Sequence, residues 1–334
     1  MKIKRYIVEF IDKVIGFAKS KYLSAKDFIK HILSAASHNT YVETVSNKAD
    51  SLHLKIKSSY AEDIKSAYQK LISKLIKLMR FGSVDLAVDI THEQFYGKTR
   101  DFYIFHCCDD PNCKAEFHYM VISIVNADKN IPLMALPVTL GCNRSELVEE
   151  LILFTKSILR IRVVLFDRGF VNSELIDRLN KLKVKYLIFA KKCLTFEYWL
   201  SLVDDSEIIT DYEMEYSKDK STIKVNTNLV LIKARDWDEF DWCFYTNLYL
   251  EDARSFIYLY KKRWQIETNF RVEDEAKIKS KTTHYLIRYF YFMMSLLLHA
   301  LWLIFPNKQF KLFLINLEYY LLFKDLGIDY SFSV

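Results

Sequence analysis

The period of the apolar residues changes once along the chain, at Phe81-Gly82-Ser83, and that change limits the fold more than any other feature of the 334 residues. Before it there is no proline, and Ile64, Ala67, Leu71, Leu75 and Leu78 recur at helical spacing, so residues 1–80 are expected to form an all-helical domain. After it the apolar residues gather in short continuous runs. Val84 to Ile90 reads as a buried strand, and Phe102 to Cys107 and Phe117 to Val125 as two more, joined by a turn at Asp109-Asp110-Pro111-Asn112. A helix from Ser145 to Leu159 with a Ser N-cap, a strand at Val163 to Phe166, a helix capped by Asn172 or Ser173 and ending near Leu182, and a strand at Lys185 to Ala190 follow. Residues 81–190 are therefore the first part of an α/β core. Strands at Ile208 to Tyr216, Thr222 to Ala234 and Trp242 to Thr246 make residues 191–250 a β-rich insertion. Helices over Asp252 to about Lys279 and His284 to Phe305 complete the core in residues 251–334.

Composition removes several function classes. The six glycines stand alone at 16, 82, 97, 141, 169 and 327, so neither G-x-G-x-x-G nor G-x-x-x-x-G-K-[ST] can be written, and dinucleotide and P-loop enzymes are excluded. Charge is divided along the chain: net +9 over residues 1–80, −6 over 81–250 and +3 over 251–334. A basic helical front on an acidic body suits a polyanion-binding module joined to a part that holds cations. Six cysteines without a secretory signal point to free thiols in a reducing compartment, hence a cytoplasmic protein. The opening residues instead place Ile7, Phe10, Ile11, Val14 and Phe17 at helical spacing. Leu286 to Phe305 has the length of a membrane span, but Arg288 and His299 within it favour a buried core helix, and no membrane partner is expected.

Two carboxylates close apolar runs, Asp89 in VDLAVDI and Asp167 in VVLFDRGF. The carboxyl ends of buried strands are where ligand-binding residues converge in α/β sheets, and an Asp there needs a cation or a hydrogen-bonding partner. A third, Glu267, lies in YKKRWQIETNFR, where Tyr260, Arg263, Glu267 and Arg271 step by three, four and four along one helix face.

Taken together, Asp89-Ile90-Thr91-His92 with Tyr96-Gly97, Asp167 to Phe170 as D-R-G-F, and Tyr260, Arg263 and Glu267 as Y-x2-R-x3-E resemble the three signatures of DDE transposases of bacterial and archaeal insertion sequences, in the subgroup named for its Y-R-E-K helix. The β-rich insertion, the basic helical front and the aromatic helix after the Glu are also similar to that family. One departure is plain: the family's Lys seven residues after the Glu is Asp274 here. The resemblance implies an RNase H-like catalytic core and a DNA transposase acting, as a nucleoid-associated homodimer, on double-stranded DNA at element ends and target. It implies two Mg²⁺ (or Mn²⁺) ions on Asp89, Asp167 and Glu267, since hard oxygen ligands suit these ions and a pair about 3.5 to 4 Å apart suits phosphoryl transfer. Tyr260 and Arg263 would grip DNA phosphates. Trp242 is the candidate for stacking on a base, ahead of Trp237. By helix geometry Arg271 is expected to replace the missing Lys, because four steps from Glu267 bring it closer to the Glu direction than the ten steps to Lys277.

Competing constellations are weaker. His92-Glu93 is not a zinc-protease motif, since H-E-x-x-H would need His at Tyr96. A structural zinc at Cys108 and Cys113, with Cys107, His106 and His118 as further donors, competes with a hairpin tip carrying incidental thiols. A catalytically inactive relative that survives as a DNA-binding protein is the alternative function, motivated by Asp274.

Overall fold

Apolar strands that cannot face water on either side are stable only when flanked by other strands and covered by helices. The computed structural model meets this with one eight-stranded sheet. It describes residues 2–16, 24–45, 47–97, 101–106, 113, 115–126, 129–191, 193–218, 221–234, 239–274, 277–305 and 309–325. Five helices come first: α1 (Lys2–Ile15), α2 (Ala25–Ser37), α3 (Val42–Val45), α4 (Ala49–Lys57) and α5 (Ala61–Met79). The core follows as β1 (Ser83–Phe95), β2 (Ala115–Asn126), β3 (Lys129–Val138), α6 (Arg144–Ile158), β4 (Arg160–Phe166), α7 (Ser173–Lys181) and β5 (Tyr186–Phe189). Then come α8 (Leu194–Leu202), β6 (Ser206–Lys218), β7 (Ser221–Ile232), β8 (Trp242–Thr246), α9 (Ala253–Lys261), α10 (Trp264–Asp274), α11 (Tyr285–Ile304) and α12 (Phe310–Asp325).

The strand order is β3-β2-β1-β4-β5-β8-β7-β6. β1, β2 and β3 form an antiparallel meander, β4 and β5 run parallel to β1, and β8 returns antiparallel to β5. This is an α/β core of RNase H-like type, with the inserted strands β6 to β8 continuing the same sheet rather than forming a separate one.

Three expectations need correction. Phe102 to Cys107 is not a strand: over its described residues, 102–106, its pairing with β2 is a single bridge, Phe105 with Glu116, at 2.9 and 2.8 Å. β1 runs on to Phe95 and takes the edge of β2 that this segment would need, down to the pair Phe95↔Ala115. The other edge of β2 belongs to β3, whose Pro132 and Pro137 concealed it; prolines are tolerated there because β3 is the sheet's outer strand. The turn at 109–112 lies outside the described residues. The helix expected over Asp252 to Lys279 is two helices, α9 and α10, parted at Lys262 and Arg263, where Lys262 N–H donates to Leu259 O and Arg263 N–H to Tyr260 O. Lastly, α6 is capped by Asn143, whose side-chain oxygen accepts from Ser145 N, and not by Ser145.

The apolar faces of α1, α2, α4 and α5 merge with the sheet and with α11 in a continuous core. Tyr68 on α5 donates to Pro132 O at 3.1 Å, and Tyr289 on α11 donates to Ala135 O at 2.9 Å, so both helices are pinned to β3. α11 is the helix among the described residues with the length and apolarity of a membrane span, and every residue from Leu286 to Leu301 is buried within the protein.

Its one guanidinium is fully accounted for. Arg288 donates to Glu93 Oε1 at 2.8 Å, to Thr282 O at 2.8 Å and to Ser280 O at 3.0 Å, between the rings of Phe95 and Phe117. Tyr119 donates to the other Glu93 oxygen at 3.3 Å. Removing one charge of a buried pair costs about 3–5 kcal/mol because the other is left desolvated and unpaired. Arg288→Met is therefore expected to lower the stability of the full chain by about that amount in urea unfolding, and adding Glu93→Leu to recover a large part of the loss. Additive losses in the double variant would count against the pair.

Candidate active site

The site begins with the register of two parallel strands. Leu86 to Val88 of β1 and Val163 to Phe166 of β4 are buried apolar runs, and Val88 pairs with Phe166. One step further both runs end in a carboxylate, Asp89 on β1 and Asp167 after β4. Each is locally oriented: Asp89 Oδ1 accepts from Ile90 N at 2.8 Å, and Asp167 Oδ1 accepts from Arg168 N at 2.7 Å, opening a single 3-10 turn over Arg168–Phe170.

Helices α9 and α10 bring the third group. Phe256, Ile257, Leu259, Tyr260 and Ile266 bury against Ala87, Val163, Leu165, Leu187, Val230 and Phe244 of the sheet. The break between the helices drops Arg263 toward the strand ends, where it is 5% exposed. Its guanidinium donates to Asp89 Oδ2 at 2.9 Å and to Glu267 Oε1 at 2.8 Å, while its Nε donates to the Tyr260 hydroxyl at 3.2 Å. That hydroxyl in turn donates to Asp167 Oδ1 at 3.3 Å. Asp89, Asp167, Glu267, Tyr260 and Arg263 thus form one connected network.

Its electrostatics follow from crowding like charges in a half-buried cleft. Burial pushes the Asp89 carboxyl up; Arg263 and the Ile90 N–H oppose this, and the charges of Asp167 and Glu267 add to it. The Tyr260 hydroxyl is also raised, first by burial, with Arg263 opposing and Asp167 reinforcing. Three carboxylates against one guanidinium leave excess negative charge. The donor set is all hard oxygen, which fits divalent cations of the Mg²⁺ kind.

Other residues singled out in the sequence fall elsewhere. Arg271 is exposed on α10. Lys277 lies beyond the end of that helix, which removes the helical-wheel comparison between the two; it pairs with Asp274 at 3.3 Å. Trp242 is buried behind Tyr260, in contact with the rings of Phe189, Phe244 and Tyr260. Trp237 and Cys107 and Cys108 lie outside the described residues. Cys113 is buried and donates to Ala115 O at 2.9 Å.

Two features went unread in the sequence. Asp85, 2% exposed, holds both Arg162 and Lys262, the latter at 2.9 Å, and so ties the α9–α10 break to β1 and β4. An Asp four residues before Asp89, on the same face of a buried strand, was the available signal. A groove beside Asp167 and Arg263 is lined by Arg168, Lys191, Trp242, Phe240 and Trp264, the last 48% exposed. A tryptophan beside Arg263 in the helix motif marked it.

The family described as "Transposase DDE domain" matches residues 85–303, a span that begins at Asp85 and includes all three carboxylates. No curated protein matches the chain. Among solved structures, the fold is similar to a piggyBac transposase in a synaptic complex with hairpin DNA, with a TM-score of 0.63 at 11% identity over 99% of this chain and 82% of that one. The chain belongs to the family of transposases with a DDE domain.

Proposed function

We propose that this chain cleaves phosphodiesters at the ends of a DNA element and joins the freed strands to target DNA, with Asp89, Asp167 and Glu267 as the metal-binding catalytic residues. The convergence of these three carboxylates on the linked Arg263 guanidinium and Tyr260 hydroxyl carries the reading. Asp89, Asp167 and Glu267 would together hold two Mg²⁺ or Mn²⁺ ions, as their all-oxygen donor set suits. Such ions, when bound, supply activation of an attacking oxygen and stabilisation of the leaving one.

The chain's own groups have separate work. Arg263 and Tyr260 hold the carboxylates in register and offer donors that can pass to a phosphate. Arginine suits that exchange because its planar fork matches carboxylate and phosphate alike. Arg168, Lys191 and the aromatic groove beside Asp167 would receive the adjoining nucleotides, with Trp242 backing Tyr260. The basic helices α1 to α5 would supply phosphate contacts to double-stranded DNA. A homodimer on paired ends fits the same reading, and a synaptic complex is the state of the similar piggyBac structure. The substitution at Asp274 does not argue for an inactive relative, because Lys277 neutralises it.

Alanine at Asp89, Asp167 or Glu267 is expected to abolish Mg²⁺-dependent cleavage of cognate end DNA while leaving end binding within a few-fold, since losing a metal ligand removes chemistry rather than the phosphate grip. Gel resolution of the products and a binding titration on the same proteins check both halves; wild-type cleavage by Asp167→Ala would sink the assignment. Arg271→Ala is expected to weaken end binding more than Lys277→Ala, because Arg271 is exposed on α10 whereas Lys277 is engaged with Asp274. The reverse order would place the phosphate contact on the loop after α10.

A further inference from the structure

Beyond Asp89, β1 and β2 bring together a second set of donors. His92 and His118 are directly paired across the two strands, and Glu116 lies two residues before His118, on the same face. The position of Glu116 is fixed by its two backbone bonds to Phe105. Both imidazoles reach one carboxylate oxygen: His92 Nδ1 lies 3.3 Å from Glu116 Oε2 and His118 Nε2 lies 3.1 Å from it. The three donor atoms all lie within 4.8 Å of one another. A tetrahedral dication with bonds of about 2.0–2.1 Å separates its ligands by about 3.3–3.5 Å, close to the two spacings that each imidazole makes with Glu116.

Charge points the same way. Glu116 is buried, and among the described residues its charge partners are the two imidazoles.

We propose that His92, Glu116 and His118 form a binding site for a zinc-like transition-metal dication, separate from the carboxylates at Asp89, Asp167 and Glu267. Two imidazoles and one carboxylate favour Zn²⁺ over Mg²⁺, which prefers an all-oxygen shell. His92 stands three residues along β1 from Asp89, about 10 Å. The His92 and His118 rings are stacked at 4.1 Å, so binding requires one to turn until both ring planes meet at the ion. His118 is held by Phe105 stacked on its ring, whereas the His92 side chain is 47% exposed and has room to turn. His92 and Glu116 line a cavity with Gln94, Tyr96 and Asp274, which gives a water access to the open coordination position. The ion would clip β1 to β2 beside the bridge between Phe105 and Glu116.

The test is competition between the metal-stripped full chain and a chromophoric chelator for Zn²⁺, in excess Mg²⁺. One equivalent is expected to bind, to survive the Asp89→Ala/Glu267→Ala double change, and to weaken about tenfold or more in Glu116→Gln and in His118→Phe. Because His118→Phe and Glu116→Gln alter buried positions, the half-exposed His92→Ala provides the same reading with the fold kept. Absence of Zn²⁺ binding by the parent chain, unchanged affinity in His92→Ala, or loss of the zinc with Asp89 and Glu267 would each overturn the site.

Discussion

Everything at the active end of the molecule depends on the pairing of β1 with β4. Because Val88 lies opposite Phe166 in a parallel register, the two apolar runs stop at the same height, and the carboxylates that stop them are neighbours. Carboxylates so placed repel each other, and burial strengthens the repulsion by excluding water. The chain answers with a guanidinium held in the same cleft. Arg263 arrives there because the helix that carries it is broken one turn before Glu267, and the break is anchored by Asp85 through Lys262. The arrangement therefore has two poles on one strand face: Asp85, where one carboxylate holds two cations, and Asp89, where one guanidinium binds two carboxylates and reaches a third through Tyr260.

What could be read from the sequence was what is local. An apolar run closed by Asp is visible within seven residues, so β1, β4, Asp89 and Asp167 were legible, and the spacing of Tyr260, Arg263 and Glu267 supplied the third carboxylate. The α9–α10 break was hidden because nothing between Lys261 and Trp264 disfavours a helix; neither Gly nor Pro is there. Its cause is tertiary, a bond from Lys262 to a residue 177 positions away. The same holds for Arg288, which reads as a cost within an apolar helix until Glu93, 195 positions earlier, is found beside it. β3 was concealed by two prolines that only an outer strand tolerates, and being outermost is a property of the finished sheet.

The insertion shows how extra chain can be accommodated without disturbing the site. β8 is the strand that touches the rest of the core, at β5, and it leads directly toward α9. β7 and β6 lie outside it, in that order, so the hairpin is spliced onto the sheet's far side. Thr246 donates to Tyr186 O at 2.6 Å, and Asn247 accepts from Tyr186 N at 3.0 Å, which locks the return strand beside β5. The hairpin can lengthen outward while Glu267 keeps its place.

The buried position of α11 has a consequence for synthesis. Helices α1 to α5 leave the ribosome well before α11, yet their apolar faces are closed in part by that helix, which ends at Ile304. Until those residues emerge, the basic front remains attached to an uncovered greasy seam, and β3 lacks the Tyr289 bond that seats it. Closure of this core therefore waits for α11, and a nascent chain cut short before that helix presents chaperones and proteases with an open core instead of a smaller working unit.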